Sequence, residues 1–242
     1  MKESTGPAQT LALSEIDSAV LSKTRLTPAQ RWFSLTELAV GGAIVIGHNI
    51  YHVVPNEVPI LVVVGLVSLR LRNGGWGLMG LHRPTSWPRT VVIAMLAAAA
   101  RILLGVLAVD PIAAHFWPPA VLPSGTDQIT GHPLLALRWL FMVWIFAAFG
   151  EEIGYRGYLI TRAADAGDRS RAAYWAGVLI VSVLFGYGHY YKGPAGVLDS
   201  GMAGLILGAT FILSGRNLWA CILAHGFIDT FALVTLFLGW SS

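Results

Sequence analysis

The stretch Phe149–Ile160, with the sequence FGEEIGYRGYLI, places two adjacent carboxylates and an arginine inside an otherwise apolar segment. A charge near the centre of a bilayer costs at least about 2.5 kcal/mol, so a membrane helix that keeps three charges is a candidate functional site. In an α-helix, Glu152 and Arg156 are one turn apart and can pair, whereas Glu151 is turned by about 100° and stays available for other work. The stretch therefore predicts that Arg156 neutralises Glu152 and that the adjacent Glu151 is unpaired.

The composition of the chain supports a membrane location for this stretch. The chain has 242 residues, of which 55% are hydrophobic and 12% are charged, and these fractions lie outside the usual range of soluble domains. Apolar runs of about 17 to 25 residues, the length of a membrane-spanning helix, recur after residue 33. They lack the alternation that is typical of barrel strands. We predict an all-α fold, a polytopic membrane helix bundle with about seven transmembrane helices.

Lysine and arginine are concentrated at alternate ends of the predicted spans, which are 36–54, 57–71, 91–109, 134–163, 172–190, 196–213 and 217–240. Residues 1–33 are predicted to form a polar N-terminal tail that could lie at the membrane interface, and residues 34–242 a single transmembrane domain. The loop 110–133 contains no lysine or arginine. By the positive-inside rule the N-terminus is cytoplasmic, in a multi-pass integral membrane protein.

Charge and cysteine content exclude several classes of function. The net charge is +3, but the basic residues flank the spans and form no patch of the kind that binds nucleic acid. We therefore expect no nucleic-acid partner. The single cysteine, Cys221, lies in an apolar run, which rules out a disulfide framework and a thiolate metal cage.

The sixth predicted span carries small residues on one face. Gly201, Gly204 and Gly208 follow one another at spacings of three and four residues. Small residues at this spacing let two helix backbones approach closely. The pattern predicts tight packing against a neighbouring helix and no chemistry.

Two further polar groups lie in predicted spans. The sequence FGYGH places Phe185 and His189 four residues apart near the end of the fifth span, and HGFID places His225 and Asp229 on one face of the seventh. An aspartate one turn from a histidine can fix the histidine's tautomer or supply another metal ligand. His189 taken alone also has a structural interpretation, as an interfacial residue.

Together the three groups contain the side chains of a hydrolytic site. Glu151, His189 and His225 could bind one divalent metal, with zinc as the first candidate, and leave one position for water. The same side chains without a metal could activate water, with Glu151 as general base and the histidines holding the oxyanion. Both alternatives lead to hydrolysis. The other polar residues considered in or near the spans have no partner in sequence and are expected to be structural or interfacial: His48, His52, Arg101, Arg138 and Asp199.

The order of these groups resembles that of a known family. The motifs EExxxR, FxxxH and HxxxN or HxxxD occur in this order in the CPBP family, also called Abi, of intramembrane proteases, which includes the type II CAAX prenyl endopeptidases. All three motifs are complete here, at Glu151 to Arg156, Phe185 to His189 and His225 to Asp229. The likeness covers about residues 133–235, and the upstream sequence GLMGLHRP resembles a further common element.

The resemblance implies a helical bundle whose conical cavity opens to the cytoplasmic side. Glu151 would activate water with His189, while His225 and Asp229 would stabilise the oxyanion and Arg156 would orient the carboxylates. Glu152 and Phe185 complete the motifs as supporting residues. An aspartate replaces the asparagine of some prenyl proteases at the last position, which adds negative charge and favours a metal or a different substrate.

The predicted function is that of an intramembrane endopeptidase. Its substrate would be a membrane-associated or lipidated, CAAX-like peptide, and its location a bacterial cytoplasmic membrane. The main alternative is a non-proteolytic membrane scaffold or bacteriocin immunity protein that keeps the same fold. A proton-coupled transporter would need a continuous polar path and preferably an internal repeat, and the sequence indicates neither.

Overall fold

The computed structural model describes residues 25–123 and 125–240. Within these ranges the chain forms helices and no strands. Seven helices follow one another: α1 (Pro28–Asn49), α2 (Glu57–Leu71), α3 (Trp87–Phe116), α4 (Pro133–Ala166), α5 (Arg171–Tyr187), α6 (Gly193–Leu213) and α7 (Leu218–Phe237). The predicted all-α bundle of about seven helices is confirmed.

Length and hydropathy identify the helices that can cross a bilayer. Among the described residues, α3, α4, α7 and α6 together with the turn before it are long and apolar enough to do so. The apolar helix α5 is shorter. These helices make the chain an integral membrane protein.

The first helix begins earlier than predicted, at Pro28 and not at residue 36. The Thr27 side chain accepts a hydrogen bond from the Gln30 backbone N–H at 3.2 Å, and the Gln30 side chain accepts one from the Thr27 N–H at 2.9 Å. This reciprocal capping box fixes the helix start among polar residues that hydropathy does not detect. Helix α1 also ends early, at Asn49. Of the predicted tail, residues 1–24 lie outside the described residues.

Two helices contain wide turns with i→i+5 hydrogen bonding. In α3 these turns cover Gly105–Val109, and regular α-helix then continues over Asp110–Phe116. The prediction of a loop from residue 110 was therefore wrong for this segment. In a regular α-helix the ring of Pro111 would collide with the carbonyl group four residues earlier, and Pro111 has no N–H to bond it. The wide turn directly before Pro111 replaces this regular geometry. In α4 the wide turns extend over Val143–Ile160, which includes both adjacent glutamates.

The predicted close packing of α6 is confirmed. A Cβ atom added at Gly204 would lie 3.0 Å from the Ser182 Cα of α5, and one added at Gly208 would lie 2.7 Å from a methyl group of Val178. Gly186 of α5 lies in the same helix–helix contact, and a Cβ atom added there would lie 2.7 Å from the Val197 carbonyl oxygen. The absence of side chains therefore brings the two backbones together and fixes α5 against α6.

Helix α4 occupies the centre of the bundle. From Glu152 to Asp165 its residues are buried, and it contacts α2, α5 and α7. Its apolar side chains, including Tyr155 and Tyr158, share one core with residues of α2, α5 and α7. The bundle therefore surrounds the charged stretch Phe149–Ile160 with other helices over most of its length.

Candidate active site

Glu152 lies at the centre of the polar cluster. Its Oε1 accepts hydrogen bonds from Arg156 Nη1 at 2.9 Å and from His225 Nδ1 at 2.8 Å. Glu152 and Arg156 are 0% and 1% exposed, so the pair is removed from both water and lipid. Glu152 and Arg156 pair as their spacing predicted. The bond to His225 joins α4 to α7 across 73 positions of sequence.

His225 faces a carboxylate at each of its ring nitrogens. Besides the bond to Glu152, its Nε2 lies 3.4 Å from Asp229 Oδ2, one turn further along α7. Because carboxylates only accept hydrogen bonds, an N–H group at each position satisfies both contacts. The ring of His225 is thereby fixed in orientation, while the Asp229 side chain keeps 28% of its surface exposed.

The ring of Phe185 connects the three motifs. The Arg156 guanidinium lies 4.3 Å from its centroid, a cation–π contact. The rings of His189 and His225 lie 4.8 Å and 6.2 Å from it, and the ring of Tyr155 packs edge-on at 5.0 Å. Phe185 therefore packs α5 against the charged pair of α4 and the histidine of α7.

His189 lies in the turn between α5 and α6, because α5 ends at Tyr187. Its Nδ1 is 2.9 Å from the Phe185 carbonyl oxygen. A carbonyl can only accept, so this contact places the proton on Nδ1 and leaves the Nε2 lone pair free in the neutral ring. His189 can then accept a proton or a hydrogen bond at Nε2.

Glu151 is close to the cluster without a hydrogen bond to any described residue. Its Oε2 atom is buried and has no partner there. Glu151 directly precedes Glu152, whose carboxylate accepts hydrogen bonds from Arg156 and His225. A buried carboxylate oxygen without a donor is unfavourable in a protein interior, so its retention at this position marks it as a functional candidate.

The predicted metal ligands do not form one compact set. The described residues contain no group of three or more His, Cys, Asp or Glu side chains arranged to hold a metal ion. Both ring nitrogens of His225 face carboxylates, so the ring would need to release one of them to bind a metal. Glu151, His189 and His225 are therefore not arranged as a preformed metal site, and metal dependence stays a prediction.

A second acidic residue next to the site, Glu57, was not predicted from the sequence. Glu57, at the start of α2, is 7% exposed, and its carboxylate lies 3.2 Å from His48 Nε2. The hydroxyl of Tyr155 donates a long hydrogen bond of 3.5 Å to it. A glutamate at the first position of an apolar helix resembles an ordinary helix-start charge, which hid this link.

A cavity of about 630 Å³ lies between α3, α6 and α7, and none of the defining residues of the three motifs lines it. Its lining includes the ion pair between Arg101 and Asp199, which sequence reasoning had left without partners. Ile228 and Phe231 of α7 supply apolar surface. The cavity therefore offers both apolar and charged contacts.

Comparison with protein families supports the resemblance. Residues 133–231 match the family model described as Type II CAAX prenyl endopeptidase Rce1-like. The matched segment contains α4, α5, α6 and most of α7, and so all the residues of the three motifs. The predicted likeness to the CPBP intramembrane proteases is confirmed over this segment. Neither the curated proteins nor the solved structures contain a match to the chain.

Proposed function

We propose that this chain, which matches the type II CAAX prenyl endopeptidases over residues 133–231, hydrolyses a peptide bond of a membrane-associated or lipidated peptide. Glu151 would activate the water with His189, and His225 with Asp229 would stabilise the oxyanion. The family match supports a protease. The assignment of these roles to individual residues is our proposal.

The convergence of motif residues from three parts of the bundle carries the proposal. Glu152 of α4 bonds His225 of α7, and Phe185 of α5 packs on Arg156 of α4. Packing alone would favour apolar side chains here, because placing ionisable groups inside a membrane bundle is energetically unfavourable. Their joint retention beside the unpartnered carboxylate oxygen of Glu151 supports a catalytic purpose.

The proposed reaction is general-base hydrolysis. A water molecule held by His189 Nε2 gives a proton to Glu151, and its oxygen forms a bond to the carbonyl carbon of the substrate. The carbonyl oxygen becomes an oxyanion, which accepts a hydrogen bond from the Nε2–H of His225 as the 3.4 Å contact to Asp229 loosens. The carbon–nitrogen bond then breaks, and the proton on Glu151 passes to the leaving nitrogen.

Glu152 and Arg156 would position the site without touching the substrate. Glu152 holds the His225 ring through Nδ1, and Arg156 neutralises Glu152 at a distance of 2.9 Å. The fixed ring then directs Nε2 toward the reacting carbonyl. Preorganised donors of this kind stabilise developing charge without reorganisation during the reaction.

The cavity between α3, α6 and α7 is the candidate binding region for the peptide. Apolar side chains such as Ile228 would contact an apolar segment of the substrate, and the charged Arg101 and Asp199 would contact its polar groups. The position of this cavity within the membrane bundle favours substrates that partition into the bilayer. A CAAX-like lipidated peptide satisfies this condition.

Cleavage of a fluorogenic prenylated CAAX peptide by detergent-purified protein tests the proposal. Wild type, Glu151→Gln and His189→Ala are compared, with His115→Ala as the matched control because His115 is exposed and belongs to none of the three motifs. We expect both site variants to lose at least about 100-fold in turnover, the usual effect of losing a general base, and the control to keep it.

Unchanged turnover by Glu151→Gln would contradict the assignment of the base. If the folded wild type cleaves neither this peptide nor any member of a broad library of membrane peptides, the scaffold interpretation would replace the peptidase.

A further inference from the structure

A second pocket lies at the end of the bundle that carries the arginine-rich loops. It has a volume of about 250 Å³ and forms where the connection between α2 and α3 meets those after α4 and α6. We call it the arginine pocket and define it by Gly77, Gly80, His82, Arg169, Tyr174 and Arg216. None of the residues that line it is acidic.

Several N–H groups of the two arginines have no hydrogen-bond acceptor among the described residues. Arg216 donates from Nη1 to the Tyr174 hydroxyl at 2.6 Å, and its guanidinium lies 5.0 Å from the centroid of the same ring. Arg169 donates from Nε to Asp165 at 2.6 Å. Asp165 also pairs with Arg162 at 3.1 Å, so its single negative charge is shared between two guanidinium groups. The pocket therefore keeps an excess of positive charge and unused donors.

The walls of the pocket are fixed by the segment GLMGLHRP, Gly77 to Pro84, to which the proposed reaction gives no role. Gly80 has φ +82°, and a Cβ atom there would lie 2.4 Å from the Arg216 carbonyl oxygen. The Gly80 carbonyl accepts a hydrogen bond from the Leu218 N–H at 2.9 Å, and the His82 carbonyl one from Asn217 at 3.2 Å. A glycine is needed for this close approach, which holds the segment against the loop carrying Arg216.

The pocket lies at the membrane surface. Arg216 stands in the short loop between Leu213 and Leu218, which end and begin two membrane-length helices. Arg169 follows the end of a third, at Ala166. The exposed side chains of Trp76 and Trp87 flank this level, as expected for the interface between lipid and water. Phosphate groups of phospholipids occupy this depth.

We infer that the arginine pocket binds the phosphate group of an anionic phospholipid. Guanidinium groups bind phosphate oxygens through paired N–H donors, and the Tyr174 hydroxyl adds a polar contact on the same side. Basic pockets between transmembrane helices are suited to anionic headgroups. The acyl chains would lie along the exposed apolar surface near Leu78, which is 41% exposed. Inorganic phosphate shares this chemistry, so the experiment separates the two sources.

Thermal unfolding in nanodiscs tests the inference. Wild type, Arg169→Gln/Arg216→Gln and the control Arg89→Gln/Arg171→Gln are compared in phosphatidylcholine with and without phosphatidylglycerol. The control removes equal charge from exposed positions outside the pocket. We expect phosphatidylglycerol to raise the melting temperature of wild type and control, and the pocket variant to lose most of that rise. Equal rises in all three proteins would overturn the inference.

Two further arms complete the test. In detergent, short-chain phosphatidylglycerol should raise the wild-type melting temperature, whereas inorganic phosphate at the same concentration should not. An equal effect of inorganic phosphate would overturn the assignment to a lipid. If the double variant does not fold, Arg216→Gln alone decides the question, because it leaves the pairing of Arg169 with Asp165 intact. A full lipid response in that variant would overturn the inference.

Discussion

The adjacent glutamates offer a matched pair of substitutions with different expected effects on stability. Glu152→Gln removes a buried charge that accepts from Arg156 at 2.9 Å and from His225 at 2.8 Å. Removing one partner of a buried ion pair destabilises a protein by about 3 to 5 kcal/mol, because the other charge stays buried. Glu151→Gln removes no hydrogen bond to a described residue and leaves no described partner unpaired. We expect it to change stability by less than about 1 kcal/mol.

The assay measures two quantities on the same preparations. Equilibrium unfolding in mixed detergent micelles gives the free energy of unfolding of each variant, and turnover of the fluorogenic peptide gives activity. Glu152→Gln should lose both, whereas Glu151→Gln should lose turnover and keep stability. A loss of stability by Glu151→Gln as large as that of Glu152→Gln would refute the division of roles, because it would mean that Glu151 has a structural partner.

Three further outcomes follow from the structure. Glu57→Gln should lower kcat by roughly 3- to 10-fold with little change in KM, because Glu57 contacts Tyr155 and not the substrate. Steady-state kinetics of the variant and the wild type would measure both constants, and an unchanged kcat would contradict the link between Glu57 and the site. Gly208→Leu should destabilise the fold by about 1 to 3 kcal/mol or more, since its Cβ atom would lie 2.7 Å from Val178. A Cβ atom at Gly77 meets no atom within 4 Å, so Gly77→Leu should have little effect on the melting temperature. A chelator should leave turnover intact if water is activated without a metal, and restoration of chelator-sensitive turnover by added zinc would instead establish a metal-assisted reaction.

The helices were largely predictable because the bilayer imposes a length on apolar runs. Residues 57–71 were placed within the observed bounds of α2, and the last four spans agree with α4 to α7 to within a few residues. The misses occur where local chemistry overrides hydropathy. The capping box at Thr27 starts α1 in polar sequence, and the wide turns at Gly105–Val109 let α3 continue through Pro111.

The site was predictable within each motif and not between motifs. The spacing of four residues correctly paired Glu152 with Arg156 and placed His225 beside Asp229. The bond between Glu152 and His225 joins two helices, and no periodicity in a single sequence fixes the rotation of one helix relative to another. The same limit hid the pair of Arg101 with Asp199, which are 98 positions apart.

The cavity between α3, α6 and α7 lies toward one end of the bundle. It is lined by the late residues of α3 and α7 and the early residues of α6, whereas the arginine-bearing loops adjoin the other ends of these helices. With the predicted cytoplasmic N-terminus, we expect the arginine pocket to face the cytoplasm and this cavity to face the opposite side, whereas the family resemblance implies an active-site cavity that opens to the cytoplasm.

Cysteine labelling measures this direction, with little background because Cys221 is buried. Ala232→Cys, in the cavity, should react with a membrane-impermeant maleimide added outside intact cells, and Arg216→Cys should react only after permeabilisation. The reverse pattern would place the cavity on the cytoplasmic side and the arginine-rich loops outside. The bundle would then violate the positive-inside rule, and the substrate would have to approach from the cytoplasm.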